Sequence, residues 1–300
     1  MDNFLTKKFE WCLKRRQMSR PMRILSEPSC MYRYLNLQLT KKTPGKVKPV
    51  SAQLFWGDRM TVMIPEVVST ELYFNHFPEE PVIYAMLGLV KEGMTVFDIG
   101  AHFGSYSLLA AKLVGLTGCV HAFEPTPSTY NILRKNVNGR ENIIAHNLAA
   151  YSENTSIQFR DYGLGRSAFN TLFSARIDEQ WEVESEIQVQ AIKLDEFSQK
   201  LNVFPDFVKI DAESAEYYVL LGMRYLVERK RPIISLEVGD VGAAQIYSSK
   251  DVVRLLTTDF GYRCYEYVGQ GLFSPHMGKQ KYEYDNLIFA DAFPACLLEG

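Results

Sequence analysis

The chain has 300 residues, of which 47% are hydrophobic and 23% are charged. This composition excludes a disordered, collagen-like or low-complexity protein, and the length allows one large α/β domain with additions to it. The formal net charge of −2 argues against a protein that binds polyanions over its whole surface.

The charge is unevenly distributed along the chain. Residues 1–50 carry twelve Lys or Arg and three Asp or Glu, a net charge of +9, whereas residues 51–300 carry −11. We interpret 1–50 as a basic, irregular N-terminal extension that ends in a Pro- and Gly-containing loop at 41–46. Such an extension can contact an anionic partner such as phosphates, lipid headgroups or an acidic glycan, or it can be a solvated terminus.

Nothing in the sequence predicts export or membrane insertion. No segment approaches the roughly 20 apolar residues of a membrane span, and no apolar signal-peptide core follows the N-terminal charges. The five cysteines form no CxxC pair, so we predict reduced thiols in a cytoplasmic protein rather than a disulfide framework or a zinc site. They are Cys12, Cys30, Cys119, Cys264 and Cys296.

Residues 51–92 predict a β-rich and helical cap that leads into the main domain at 93–300. The cap has short strands at 53–56 and 60–64 and a helix at 82–90. In the main domain, strands and helices alternate, which predicts right-handed βαβ units and a parallel sheet covered by helices on both faces. The predicted strands are 95–99, 119–123, 143–148, 206–210 and 232–238, and the predicted helices are 105–114, 128–137, 215–227 and 250–258.

Two segments interrupt this alternation. Residues 156–159 and 186–191 have the period of antiparallel strands around a polar loop. At the C-terminus, strands at 263–268 and 284–290 have no helix between them, so they predict a hairpin that places one antiparallel strand in the otherwise parallel sheet.

The end of the first predicted strand carries the first group of candidate site residues, in the sequence DIGAHFG at 98–104. Gly100 and Gly104 allow a tight turn and a close approach to a ligand, and the next helix offers free N–H groups to an anion. Glu124 follows the second strand, where an acid accepts hydrogen bonds from a ribose diol.

The ligand that these residues favour is S-adenosylmethionine rather than a dinucleotide. The loop lacks the middle glycine of a pyrophosphate-binding turn, and Asp98 would repel a pyrophosphate. A carboxylate at that position suits the ammonium of the methionine part of S-adenosylmethionine. We predict a cofactor-binding set that also includes Asp211 from the next group: Asp98, Gly100, Ala101, His102, Gly104, Glu124 and Asp211.

The second group of candidates follows the strand at 206–210. Asp211 and Glu213 are expected at the same sheet edge as Asp98, Glu216 falls in the first turn of the next helix, and Glu237 ends the following strand. Carboxylates crowded into a cleft often mark function, although Glu216 is also suited to capping its helix.

Several motifs in the same order resemble the FkbM family of S-adenosylmethionine-dependent methyltransferases. They are DIGAHFG, HAFEP, VKIDAESAE, ISLEV and DNLIFA, and the resemblance covers roughly residues 70–292. The family pattern KIDVEGxE is replaced here by KIDAESAE, so Asp211, Glu213 and Glu216 are retained and Ser214 stands where the family has Gly. The resemblance implies a class I methyltransferase sheet, Rossmann-like and mostly parallel, with an antiparallel C-terminal strand. It also implies methylation of a hydroxyl, often on a sugar, glycolipid or polyketide.

On this basis we predict Asp211, Glu213 and Glu216 as catalytic residues, with Asp211 or Glu213 as the base that accepts the hydroxyl proton and Glu216 assisting. The chain lacks the Asn/Asp-Pro-Pro-aromatic stretch of many amino-nitrogen methyltransferases, which favours an oxygen acceptor. No distinct metal motif is visible, although a carboxylate set of this kind can hold Mg²⁺. The alternatives left open are an RNA or protein methyltransferase, an NAD-dependent oxidoreductase and a noncatalytic anion-binding protein.

Two further segments are candidates for walls of the site. The aromatic stretch Tyr73, Phe74, His76 and Phe77 suits either a lid over the cofactor or an apolar plug against the sheet. The loop at 162–181, with Arg166 and Arg176, suits either an acceptor wall or a disordered insert.

Overall fold

The computed structural model describes residues 3–43, 45–172, 183–240 and 247–299. Its α-helices within these ranges are α1 (Asn3–Gln17), α2 (Arg20–Ser26), α3 (Ser29–Lys41), α4 (Val67–Asn75), α5 (Glu80–Leu89), α6 (Ser105–Val114), α7 (Pro127–Asn136), α8 (Leu194–Leu201), α9 (Glu216–Gly222) and α10 (Ser249–Arg254). Its strands are β1 (Lys48–Gln53), β2 (Arg59–Ile64), β3 (Thr95–Ile99), β4 (Cys119–Phe123), β5 (Ile143–His146), β6 (Ala149–Ala150), β7 (Thr155–Asp161), β8 (Ser185–Ile192), β9 (Phe207–Ile210), β10 (Ile233–Val238), β11 (Arg263–Gly269), β12 (Leu272–Pro275) and β13 (Asp285–Ala290).

The main sheet has eight strands within the described residues, in the order β12-β11-β13-β10-β9-β3-β4-β5. The strands from β10 to β5 are parallel, as the βαβ pattern predicts, and β13 runs antiparallel between β10 and β11. The mostly parallel sheet of the class I methyltransferase fold, with its antiparallel C-terminal strand, is therefore confirmed. The structure adds β12, an edge strand paired antiparallel with β11, which the sequence analysis missed.

Alternate side chains of the central strands enter different cores on the two faces of this sheet. Val96 and Val120 belong to a core cluster on one face, and Phe97, Phe123 and Val208 belong to a cluster on the other. Because both faces are buried, most side chains of these strands are apolar, with Asp98 of β3, His121 of β4 and Lys209 of β9 as buried exceptions. β4, the next strand along the chain, lies on one side of β3, and β9 lies on the other side of β3. The topological switch point is therefore at the carboxyl ends of β3 and β9.

The prediction that residues 1–50 are irregular is wrong, because α1, α2 and α3 occupy most of that segment. In α1, Leu5, Phe9 and Cys12 recur at helical spacing, and all three are buried in the same core cluster as β1, β2 and one face of the main sheet. Burial of one face of a short helix is sufficient to stabilise it even when its other faces are polar and basic.

The insertions also have defined structure. β7 and β8 pair antiparallel, as predicted, and β6 extends them to a three-stranded sheet. The cap contains the β1–β2 hairpin followed by α4 and α5. The predicted helix at 215–227 is divided into α9 and a π-helical turn at Leu226–Lys230. The five cysteines are all within the described residues and form no disulfide.

Candidate active site

A cavity of about 710 Å³ lies at the carboxyl edge of the parallel strands. Residues at or just after the ends of β3, β4, β9 and β10 line its inner wall. Residues in the first turns of α4 and around the start of α5 line another side. This is the location at which open α/β sheets bind ligands, and the volume is typical of a site for a small molecule or cofactor.

The loop after β3 approaches the loop after β9 so closely that it needs a glycine. Gly100 has a φ of +73°, and a Cβ atom on it would lie 1.8 Å from the carbonyl oxygen of Asp211. Gly100, Ala101 and His102 line the cavity, as predicted for cofactor-binding residues. His102 also has a positive φ, of 51°, and its ring nitrogen Nε2 lies 2.8 Å from Ser167 Oγ.

Asp98 and Gly104 occupy different places from those predicted, because neither lines the cavity. The Asp98 side chain is 1% exposed and accepts a hydrogen bond of 2.5 Å from Ser107 Oγ. A Cβ atom on Gly104 would lie 2.6 Å from the side chain of Leu133, so this glycine allows α6 to pack. Both residues lie behind those that line the cavity, and the contact of Asp98 with a ligand's ammonium stays a prediction.

Glu124 lines the cavity from the end of β4 and is tied to the loop after β3. Its two carboxylate oxygens accept hydrogen bonds from the backbone N–H groups of His102 and Thr126, at 3.1 and 2.9 Å. Burial raises the pKa of Glu124 to about 7, although these N–H groups oppose the shift. The oxygens have further lone pairs, which can accept hydrogen bonds from two ligand hydroxyls.

Lys209, in the middle of β9, is a site residue that the sequence analysis missed. Its Nζ lies 3.1 Å from Asp211 Oδ2 and 3.6 Å from Asp98 Oδ1, and it donates to the carbonyl oxygen of Gly100 at 3.1 Å. Burial alone would lower the pKa of this ammonium, but the attraction of Asp211 and Asp98 outweighs burial and raises it. The buried positive charge therefore joins both loops. Its sequence signal is a lysine within an otherwise apolar buried strand.

The turn after β9 places Asp211 and Glu213 on the cavity wall, as predicted. Glu213 and Ser214 have φ values of +46° and +81°, a conformation that non-glycine residues rarely adopt. Ser214 thus adopts the backbone conformation for which the family pattern uses a glycine.

Glu216 does not line the cavity, so its predicted catalytic role is corrected to that of a positioning residue. It is 4% exposed, and its Oε1 accepts hydrogen bonds from the backbone N–H groups of Ala212 and Ser214, at 3.2 and 3.1 Å. These bonds close the turn and fix the backbone that carries Asp211 and Glu213.

A third carboxylate joins these two from the end of β10. Oxygen atoms of Asp211, Glu213 and Glu237 all lie within 4.8 Å of one another, and Glu237 is 5% exposed. Three oxygen ligands at this spacing can hold a divalent cation, but acidic clusters of this kind are also common without one. Lys209 already supplies one positive charge beside Asp211.

Glu79 faces the same group from the opposite wall and was also not predicted. Tyr106 Oη donates a hydrogen bond of 3.1 Å to Glu79 Oε2, and both residues line the cavity. Burial, followed by the charge of Asp211, raises the pKa of Glu79. Because Glu79 is far from Asp211 in sequence, its position depends on the packing of the cap against the sheet.

The aromatic stretch before α5 forms a plug rather than a lid. Tyr73, His76 and Phe77 are buried and do not line the cavity; the Phe77 ring packs edge-on against Phe9 of α1. In the loop at 162–181, residues 167–170 line the cavity and Arg166 is exposed. Arg176 and Trp181 lie outside the described residues.

The model of the family "Methyltransferase FkbM domain" matches residues 98–264, more than half of the chain. The chain belongs to this family. It is therefore an S-adenosylmethionine-dependent methyltransferase, and S-adenosylmethionine is its cofactor. No significant match was found among curated proteins.

Solved structures of methyltransferases are similar to part of this chain at low sequence identity. An FkbM methyltransferase from Methylobacillus flagellatus KT is 17% identical, with a TM-score of 0.42 over 70% of this chain and 48% of the other, so this chain spans about half the length of that protein. A SAM-dependent methyltransferase from Aquifex aeolicus is 17% identical (TM-score 0.38; 70% and 87% covered). Aeropyrum pernix fibrillarin with bound S-adenosyl-L-methionine is 14% identical (TM-score 0.41; 82% and 100% covered).

The lining of the cavity fits the different parts of S-adenosylmethionine. Glu124 offers oxygens that suit ribose hydroxyls, and Ser105 and Tyr106 start α6, whose first N–H groups can face a carboxylate. An apolar wall beyond Glu124 suits an adenine ring; it includes Phe123, Leu148, Ala150, Ile157 and Phe159. A cationic sulfur suits the acidic wall on the other side.

Proposed function

We propose that this FkbM methyltransferase transfers the methyl group to a hydroxyl oxygen of a small-molecule or glycan acceptor, such as a sugar, a glycolipid or a secondary metabolite. The observation that supports this proposal is the pair of carboxylates, Asp211 and Glu213, on the cavity wall beside Glu237. Carboxylates can orient a hydroxyl and accept its proton, which is the assistance that an oxygen nucleophile requires.

S-adenosylmethionine supplies a methyl group that is already activated by a positively charged sulfur. The protein's main tasks are therefore to hold the two reactants and to align them, a contribution that reaches about 7–11 kcal/mol in favourable cases. We assign the cofactor to the wall formed by Gly100, Ala101, His102 and Glu124, with Asp98 and Gly104 supporting it from behind.

We assign the proton-accepting role to Asp211 or Glu213. Lys209 Nζ donates a hydrogen bond of 3.1 Å to Asp211 Oδ2 and fixes the position of that carboxylate, so Asp211 suits an orienting group. Glu213 lines the open cavity at the strained turn after β9, which suits the base. Glu216 positions both through the turn.

Transfer of labelled methyl groups from S-adenosylmethionine to a panel of acceptors tests this proposal. The panel contains sugars, glycolipids and polyketides, their deoxy or amino analogues, RNA and protein. Each acceptor is tested once with added Mg²⁺ and once with a chelator that removes divalent cations. Label is expected on hydroxyl-bearing small molecules or glycans and not on their deoxy analogues. Label found only on nitrogen, RNA or protein would overturn the oxygen assignment.

Variants of the two carboxylates test the residue roles. Asp211→Asn and Glu213→Gln should each lower kcat, with the base variant losing about 10²–10⁴-fold, while cofactor affinity changes less for Glu213→Gln. The matched control is Glu141→Gln, because Glu141 is exposed and does not line the cavity. Unchanged kcat in both cavity variants would contradict the assignment.

A further inference from the structure

The described N-terminal residues 3–43 and 45–50, which we call the N-terminal module, expose an unusual amount of apolar surface. Nine of the seventeen exposed large hydrophobic side chains in the described part of the chain belong to it. These nine are Phe4, Trp11, Met22, Leu25, Met31, Tyr32, Tyr34, Leu35 and Leu39. Single exposed apolar residues are ordinary, but such a concentration marks an interaction surface.

The exposed side chains follow the periodicity of the helices. In α3, Met31, Leu35 and Leu39 recur every fourth residue and are 54%, 56% and 66% exposed, so they form one stripe along the helix. The other face of α3 is buried through residues such as Leu37 and Thr40. The helix α2 has no buried residue at all, although it exposes Met22 and Leu25.

The module also exposes many basic side chains. Eight Lys or Arg of the module are exposed, whereas Glu10 is its only exposed acid among the described residues. The exposed basic residues are Lys7, Lys14, Arg16, Arg20, Lys41, Lys42, Lys46 and Lys48. Arg15 and Arg33 do not contribute to this charge, because both are buried in ion pairs with Glu27.

We propose that the N-terminal module docks the protein onto the surface of an anionic lipid bilayer. Helices that lie in a membrane interface combine exposed Trp, Phe and Leu with Lys and Arg, so that apolar side chains enter the headgroup boundary and cations meet anionic lipids. The rest of the chain carries a net charge of −11 and is repelled by the same surface, which orients the molecule with the module toward the lipid.

The charge favours a bilayer over the other occupants of such a surface. A second copy of the chain, paired by a two-fold axis, would bring the exposed Lys and Arg side chains of the two modules close together, where they repel each other. A nucleic acid would use the cations and the exposed rings of Trp11 and Tyr32, but it would leave the exposed aliphatic side chains Met22, Leu25, Leu35 and Leu39 without a partner. No helix in the described residues is long and apolar enough to cross a membrane, so the proposed contact is with the lipid surface.

The module also reaches the cavity. Arg16, near the end of α1, lines it together with Val67 and Val68 of α4, and both α1 and α3 pack against α4. Val67 is 50% exposed. Docking would therefore bring one wall of the cavity close to the lipid. The docking proposal does not depend on which atom receives the methyl group.

Flotation with lipid vesicles tests the proposal on the full chain. The probes are phosphatidylcholine vesicles and vesicles in which roughly 30% of the lipid is phosphatidylglycerol, since charge attraction should act only on the latter. We expect at least tenfold tighter binding to the anionic vesicles, weakened by high salt. Equal binding to both vesicle types, or no binding to either, would overturn the proposal.

Two pairs of variants separate the apolar and the electrostatic contributions. Leu35→Ser with Leu39→Ser removes part of the stripe, and its control is Leu116→Ser with Met277→Ser, two residues that are 90% and 91% exposed outside the module. Lys41→Glu with Lys42→Glu reverses two charges, and its control is Lys112→Glu with Lys135→Glu, also exposed. Each module pair should weaken vesicle binding at least fivefold, and neither control pair should.

Other measurements on the same variants identify a different occupant. The circular dichroism spectrum and Tm should be unchanged in both module pairs, because these side chains are exposed. Light scattering that shows a dimer dissociated by Leu35→Ser with Leu39→Ser, with vesicle binding unaffected, would overturn the proposal in favour of self-association. RNA binding that is lost on Lys41→Glu with Lys42→Glu, with no vesicle binding in the parent protein, would overturn it in favour of a nucleic acid.

Discussion

The two loops that meet at the switch point reach the same backbone conformation in different ways. The loop after β3 uses glycines, with Gly100 at a φ of +73° and Gly104 at +92°. The turn after β9 places Glu213 and Ser214 at φ values of +46° and +81°, where side chains are disfavoured. The first loop is therefore relaxed at its two glycines, although His102 within it also has a positive φ, of 51°. The second turn has two consecutive non-glycine residues at positive φ and must be held in place by its surroundings.

What holds the second turn is a set of hydrogen bonds and charges. Glu216 accepts from the backbone N–H groups of Ala212 and Ser214, and Lys209 attracts Asp211. Strain of about 1–3 kcal/mol per residue is common where a backbone is fixed for function. The glycine loop is therefore shaped to admit a ligand closely, and the acidic turn is shaped to present carboxylates in fixed positions.

The largest effect is expected at the point of contact between the two loops. Gly100→Ala would place a Cβ atom 1.8 Å from the carbonyl oxygen of Asp211, so we expect a loss of at least about 4 kcal/mol of unfolding free energy. Chemical denaturation measures it. The control is Gly139→Ala, because Gly139 has a similar φ of +81° but no atom within 4 Å of the added Cβ, and backbone strain alone costs about 1 kcal/mol. Equal losses would mean that the close approach of the loops is absent.

Glu216→Ala is expected to have the next largest effect, because two backbone N–H groups lose a buried carboxylate acceptor. We expect a loss of about 3 kcal/mol, together with a lower kcat through displacement of Asp211 and Glu213. Glu216→Gln keeps an oxygen at the same position and should recover more than half of the stability. If the alanine variant keeps full stability and activity, the hydrogen bonds of Glu216 do not hold the turn.

A pH dependence distinguishes the glycine side of the site from the acidic turn. Because the pKa of Glu124 is raised to about 7 by burial, the carboxylate that accepts ribose hydroxyls is present above pH 7 and is protonated below it. The affinity for S-adenosylhomocysteine should be highest near pH 8. Below pH 7 the affinity should decrease, and the decrease should approach about tenfold for each further pH unit. Calorimetric titration measures it. Glu124→Gln should bind weakly with a flatter profile; a parent profile as flat as that of the variant would contradict this role.

The smallest effect is expected from relieving the strain of the second turn. Ser214→Gly removes the side chain from a residue at a φ of +81°, so the backbone strain of the folded state decreases. The greater conformational freedom of glycine in the unfolded chain offsets part of the resulting increase in unfolding free energy. We expect a net stabilisation of about 1 kcal/mol or less, with activity retained. A destabilisation of similar size would mean that Ser214 makes contacts worth more than the strain.

The sequence was sufficient to predict the mostly parallel sheet, the antiparallel strand β13 and the cavity residues that follow directly from strand ends, such as Glu124 and Asp211. These depend on local periodicity and on the rule that parallel strands end at one edge. It was not sufficient for Lys209 or Glu79, whose importance comes from partners distant in sequence. The helices of residues 3–43 were missed because their stability depends on burying a few side chains, such as Phe9, against a core formed later in the chain.

The most direct test of the account is a crystal structure of the protein with S-adenosylhomocysteine. The account predicts that the ribose hydroxyls donate to Glu124, that the adenine lies against the wall containing Phe123 and Leu148, and that the sulfur faces Asp211 and Glu213. A nucleoside bound outside this cavity, or with its ribose hydroxyls away from Glu124, would contradict it.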